Sequence, residues 1–463
     1  MNHARVKALK GNKTVSRKAV KSGRASGAVT PQGSSGSPMT SLLTSPTHSA
    51  SHSRPASDSD SDGSDFELDD MMSSIHSADS LETPADDSTG GGSALDTDAL
   101  ITAIQDRKHN NTDLREQYLD AFIRFMRTRY TEDAHLWLDT AAVPLTDAFL
   151  KGANRGDSPR ERLLSLQAYC ITLGTVEDME VYEGASRALR QILLDDDDDD
   201  CRVWALHALA MSVLYGGGAE EAALETMEYL VDIVQSDGES VEAHDNAAVV
   251  SAALLAWGFV AAHVDDYADY ADSAIDAFTD QLDSGDVEVQ SNAAMCVALI
   301  YESSKAHETE TGKPFDLQYD PHRLVGRIAE LARLSAKSVS RRSRRDLREA
   351  LVSVVTSLER GVGPYYSTAL YMPEKDERVP AAQRTEDGRA EYGYRYKLRL
   401  QNRAAKVDTW SLYFRVAMMK LIFRGGLDKH MFINPVVSEC LEDANFAQEY
   451  SAEDAKKARK KKE

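Results

Sequence analysis

Five arginines fall within eight consecutive positions, Arg341, Arg342, Arg344, Arg345 and Arg348, in the stretch SRRSRRDLRE from Ser340 to Glu349. Guanidinium groups fork N–H donors onto phosphates or carboxylates, so such a run either clamps an acidic surface of its own chain or binds an external anion. Ser343 and Asp346 have the S-x-x-D spacing of a capping box. That predicts a helix starting at Ser343 with Leu347, Leu351, Val354 and Leu358 as its buried stripe. Arg344 and Arg345 would then lie in the first turn, where the positive end of the helix dipole disfavours cations by about 0.3–1 kcal/mol each. Helix stability does not account for them, and Arg345 and Arg348 project away from the stripe.

A second basic stretch, EYGYRYKLRLQNR from Glu391 to Arg403, alternates Tyr392, Tyr394, Tyr396, Leu398 and Leu400 with Arg395, Lys397 and Arg399. An extended strand puts the rings on one face and the cations on the other. Two readings stand. Cations beside stackable rings suit single-stranded or folded RNA; a short strand would instead pack its tyrosines on the core. The run KKARKKKE from Lys456 to Glu463 adds six cations, as a nucleic-acid contact or a nuclear signal.

Other chemistry-bearing patterns read as scaffolding. The six aspartates between Leu194 and Cys201 lack the spaced ligands, turn glycine and closing glutamate of a calcium loop. They read as an inter-helix loop whose last acids favour the next helix N-terminus. Gly216 to Gly218 has neither the preceding strand nor the following Lys-Ser/Thr of a phosphate loop and reads as a helix terminator. The serines of SDSDSDGSDFELDD from Ser57 are followed by acids, so the segment is either an acid-directed phosphorylation target or a solvated spacer. No HExxH, GxSxG or kinase signature occurs in the folded region, and the twelve histidines show no ligand spacing. The chain is therefore expected to be no enzyme, with no metal, no cofactor, no small-molecule substrate and no membrane.

These residues must be held by a chain of 463 residues and formal net charge −22 whose charge is segregated. Met1 to Ser57 has nine bases and no acid, and Asp58 to Asp98 has thirteen acids and no base. With one aromatic, Phe66, residues 1–98 cannot bury enough apolar surface to offset the entropy of ordering, and read as a long disordered tail. The acid-free start has the composition of a transit peptide but no apolar signal stretch. Glu177 to Glu310 has thirty-one acids against four bases, and Thr311 to Glu463 has thirty bases against twenty-one acids. An acidic half repels nucleic acid and a basic half attracts it. Cys170, Cys201, Cys296 and Cys440 are far apart and read as reduced core thiols of a cytosolic or nuclear protein.

Four Ala-centred segments begin at Ser158, Asp199, Ser240 and Asp286, at intervals of 41, 41 and 46 residues. Armadillo and HEAT repeats have a period of about 40–47 residues. Second helices are expected over Val181 to Leu194, Glu220 to Gln235 and Tyr267 to Leu282, an entry helix over Thr112 to Tyr130, an insertion over Ser304 to Asp320, and a further helix over His322 to Ser338. The uncharged stretch Asn246 to Val264 is long enough for a membrane span, yet its alanines and acidic flanks make it a buried helix. The expected fold is all-α, an armadillo/HEAT-like α-solenoid of helix pairs over 99–359. A linker follows over 360–389, then a small basic C-terminal helical domain over 390–445 and a basic tail over 446–463. No strand series is expected before residue 390, and Trp410, Phe414, Ala417 and Leu421 mark a core helix ended by Gly425 and Gly426.

Taken with the repeats, SRRSRRDLREALVSVV and KVDTWSLYFRVAMMKLIFRGGLDKHMFINPVVSECL resemble the interferon-related developmental regulators over roughly residues 100–440. The positions that carry this are Asp408, Trp410, Leu421, Gly426, His430 and Asn434. The resemblance implies a non-enzymatic armadillo-like regulator with one of two activities: binding to translationally inactive ribosomes along the mRNA and tRNA path, or nuclear transcriptional co-regulation through protein partners. On the first, Arg341, Arg342, Arg344, Arg345 and Arg348 would meet rRNA phosphates, and Tyr394, Arg395, Tyr396, Lys397, Arg399 and Arg403 would line the RNA path. The location is accordingly cytoplasmic, nuclear or both.

Overall fold

A computed structural model describes residues 97–177, 179–333, 341–367, 391–394, 396–400 and 403–448. The readings of residues 1–96 as a disordered tail, of most of the 360–389 linker, of Arg395 and of the basic tail from 449 lie outside these. Helices α1 (Thr97–Gln105), α2 (Thr112–Thr128) and α3 (Glu132–Arg155) open the fold, followed by α4 (Pro159–Leu173), α5 (Tyr182–Asp195), α6 (Asp199–Tyr215) and α7 (Glu220–Gln235). The array continues through α8 (Ala247–Ala261), α9 (Ala268–Gln281), α10 (Val287–Thr311), α11 (Pro321–Arg333) and α12 (Arg341–Arg360). The four Ala-rich segments are α4, α6, α8 and α10. Each starts where a short polar side chain takes its first free N–H groups: Ser158, Asp198, Asn246 and Asp286.

The helices form two rows. In one, α2, α4, α6, α8, α10 and α12 pack in succession; α3, α5, α7, α9 and α11 each lie against the helix that follows them. Hydrogen bonds cross from one repeat to the next, between Tyr169 and Ser212 hydroxyls (2.8 Å) and from Gln281 Nε2 to the Val234 carbonyl (2.9 Å). Such neighbour-only contacts are how a solenoid accumulates a core that no single pair could close.

A third layer explains why α8 is apolar all round. After α12, β1 (Tyr365–Ser367) pairs antiparallel with β2 (Glu391–Tyr394), and β3 (Tyr396–Leu400), β4 (Arg403–Val407) and β5 (Phe446–Gln448) form a second antiparallel sheet. Helix α13 (Trp410–Phe423) then lies across α4, α8 and α10, which pack on α3, α7 and α9 as well. A short α14 (Leu427–Ile433) and α15 (Pro435–Cys440) follow. One continuous buried cluster runs from Leu100 through the repeats to Ala444. The membrane-length stretch is thus α8, buried between rows; among the described residues no helix is long and apolar enough to cross a membrane.

Several details differ from expectation. Helix α12 already includes Arg341 and Arg342, so Ser343 lies within it and does not cap it; arginine is a strong helix former and extends the turn. Helix α10 continues through Thr311 before Gly312 (φ +80°) stops it, leaving only Gly312 to Asp320 as the insertion. The short β1 precedes residue 390. The C-terminal segment carries a sheet beside its helices, and its helix α13 shares the repeats' core. Its strand-period alternation of buried and half-buried residues along β3 outweighs any helical reading there.

Candidate functional site

The side chains of Arg345 and Arg348 are exposed on α12, while Leu347, Leu351 and Val354 are buried and Leu358 is half-buried. The side chains of Arg341, Arg342 and Arg344 lie outside the described ones, although all three residues are in the first turns of α12, which contain no acid before Asp346. Arg345 Nε donates to Glu349 Oε1 at 2.8 Å, one turn along the same helix. A pair of this type is worth only about 0.3–0.5 kcal/mol and does not tie the cluster to the acidic half.

In the second sheet Tyr396, Leu398 and Leu400 face the core and Lys397 and Arg399 are half-buried on the other side. Tyr396 is fully buried, 4.9 Å from the Tyr413 ring, so it is a core residue and offers no platform to a nucleobase. The side chain of Tyr394 lies outside the described ones. Register places Lys397 opposite Lys406, with Arg399 two residues on, so one face carries three cations. At the end of this sheet the exposed Arg403 guanidinium lies 5.3 Å from the ring of Phe432, itself exposed on α14. Sequence reading missed Phe432 and Lys406, since neither sits in a basic run.

The two basic features lie near opposite ends of α12. Trp410 Nε1 donates to Ser357 Oγ at 3.0 Å, which anchors the sheet-to-α13 junction there. Ser357 is twelve residues from Arg345, about 18 Å at 1.5 Å per residue. Gly363 lets this junction close, because a Cβ there would overlap the Asp408 carbonyl.

The residues read from the C-terminal motif act as fasteners. His430 Nε2 donates to the Met126 carbonyl (2.9 Å) and Nδ1 accepts from Asn434 Nδ2 (3.0 Å), which fixes a neutral tautomer. Burial pushes its pKa down to about 4. Its ring stacks on Tyr130 with centroids 4.0 Å apart. Asn434 Nδ2 also donates to the Gly174 carbonyl (2.8 Å), and its Oδ1 caps α15 at Val437. Gly426 leaves no room for a Cβ against the Arg127 carbonyl. Trp410 is buried, and Leu421 lies in the core. These contacts fix α13 to α15 onto helices some 260 to 304 residues earlier.

Two further half-buried residues serve the same layer. Glu302 on α10 accepts from the Trp410 and Ser411 N–H groups, both at 2.9 Å, and so caps α13 from another helix; burial raises its pKa to about 7. His263 Nδ1 donates to the Phe259 carbonyl (2.8 Å) and Nε2 accepts from the Tyr215 hydroxyl (3.0 Å), near the buried Cys440 thiol. Burial lowers its pKa to about 4 and raises that of Cys440 to about 12. A neutral histidine beside a buried, protonated thiol holds helices together here. Among the described residues there is no group of three or more histidines, cysteines or acids that could hold a metal ion.

The model of the interferon-related developmental regulator family matches residues 68–359, well over half of the chain. The match includes the arginine run and ends before the fastening residues Asp408 to Asn434. A Schizosaccharomyces pombe protein, itself uncharacterized, is 23% identical over 261 residues, covering 53% of this chain and 57% of that protein. The chain thus spans little more than half the length of that relative.

Proposed function

The chain belongs to the interferon-related developmental regulator family, and on that premise we propose that it is a non-enzymatic regulatory binding protein whose basic C-terminal third contacts ribosomal RNA and helps keep ribosomes translationally inactive. The observation that carries this is that Arg345 and Arg348 are exposed on α12, where the chain turns from acidic to basic. Lys397, Arg399 and Lys406 form a second cationic face, and two such faces suit a folded RNA with many phosphates better than one short peptide. Arg403, on the other face of the sheet at its end, is a further exposed cation, while Arg341, Arg342, Arg344, Arg395 and Tyr394 remain candidates by sequence.

The alternative, a nuclear co-regulator that grips protein partners along the solenoid, keeps less surface than the sequence suggested, because α13 covers α4, α8 and α10 where such a groove would run. The proposal places the protein on cytoplasmic ribosomes, with nuclear passage left open by the basic runs. Arg345→Gln/Arg348→Gln should leave thermal stability within about 1 kcal/mol of the parent. It should also release the protein from ribosomes in a sucrose gradient at lower salt. Absence of ribosome co-sedimentation at low salt by the unaltered protein, in growing and starved cells alike, would defeat the reading.

A further inference from the structure

The outward face of α3 breaks the pattern of the outer row. Leu136 is 67% and Val143 57% exposed, two turns apart on one side of the helix. Glu132, Asp133, Asp139, Pro144 and Asp147 are exposed around them. The terminal helices of a solenoid normally turn a polar face to water. Here an apolar strip lies in an acidic frame; the neighbouring cavity of about 260 Å³ between α1 and α3 is lined by Arg107, Arg115 and Lys151 as well as apolar residues and is no part of this strip. The surface fits a segment that is both basic and apolar.

The chain itself supplies one. Residues 5–21 carry Arg5, Lys7, Lys10, Lys13, Arg17, Lys18 and Lys21, interspersed with Val6, Leu9, Val15 and Val20, and no acid. The connection from this segment enters the fold at α1, which packs directly on α3. Its roughly 75 residues could extend over about 3.4 Å each, several times the length of α3, so reach is no obstacle. Tethering also raises the segment's local concentration at this face well above that of a free competitor.

We propose that the outer face of α3 is the docking site of the chain's own basic segment, residues 5–21. Val6 and Leu9 seat on Leu136 and Val143, and the lysines face Glu132, Asp133, Asp139 and Asp147. The contact neutralises the basic charge of this segment. It stands independently of ribosome binding.

Zero-length carbodiimide coupling of the full-length protein, followed by peptide mapping of the monomer band, tests this. Couplings from Lys7, Lys10, Lys13, Lys18 and Lys21 to the four α3 acids should exceed those to acids on α5, α7 and α9. Leu136→Ser/Val143→Ser should reduce the α3 couplings at least about threefold while leaving the others unchanged. Val6→Ser/Leu9→Ser, with the melting temperature measured alongside, should do the same. Couplings spread evenly over the acidic surface, directed mainly to residues 58–98, or unmoved by both double variants would overturn the proposal. So would couplings confined to a dimer band, which would make a second copy the occupant.

Discussion

Acidification from pH 7 to pH 5 should separate the groups that hold the third layer, because they titrate with opposite signs. His263 and His430 have pKa values lowered from 6.5 to about 4. The unfolded chain therefore binds their protons first, and the stability they contribute above pH 6.5 is lost as pH falls towards 4. Glu302 is raised from 4.5 to about 7, so its contribution is full below pH 4.5 and lost as pH rises through 7. Integrating from pH 7 to 5, each histidine costs about 2 kcal/mol and Glu302 returns about 2 kcal/mol, a net loss of about 2 kcal/mol. Glu302→Gln removes the compensating group and should deepen the acid loss to about 4 kcal/mol; His430→Gln should reduce it to near zero. Urea unfolding followed by tryptophan fluorescence at the two pH values, at one ionic strength, measures this. Each comparison is of a variant's own pH difference with that of the parent, so titrations common to both cancel. If Glu302→Gln leaves the pH 5 to pH 7 difference unchanged, the carboxyl group is not buried as a cap on α13, and the account of that layer fails.

Two other outcomes follow from the fasteners and the thiols. Asn434→Ala removes the α15 cap and leaves the buried Gly174 carbonyl without its donor, which should cost about 2–4 kcal/mol in denaturant unfolding; a loss below about 1 kcal/mol would refute a fastening role. Burial raises the pKa of all four cysteines, so none should react with iodoacetamide at pH 8 in the native protein and all four should in urea; rapid native labelling of Cys440 would show that the third layer opens.

The helical reading succeeded where periodicity and capping act locally. Ser158, Asp198 and Asp286 stand at helix starts because their short side chains satisfy free N–H groups within three residues, and Gly217 (φ +84°) lies beyond a helix end where other residues are strained. The interval of about 41 residues recurs because each pair must bury the same face on its neighbour. Exposure of Arg345 and Arg348 was likewise legible, since the positions of Leu347, Leu351 and Val354 fix which side of α12 faces inward. Tyr396 was not legible. Alternation shows that a strand has two faces, but it does not tell which one meets the core.

The sequence by itself determined the repeat, the segregation of acidic and basic charge and the helix boundaries set by short-range caps. Only the tertiary structure decided that α13 covers the second face of the inner row, that Glu302 caps a helix 108 residues away, and that His430 and Asn434 bind the C-terminal layer to α2 and α4. The physical reason is range. Caps and periodicities are satisfied within a few residues, whereas a buried carbonyl or N–H accepts any partner of the right geometry. Which distant residue meets it is settled when the layers close.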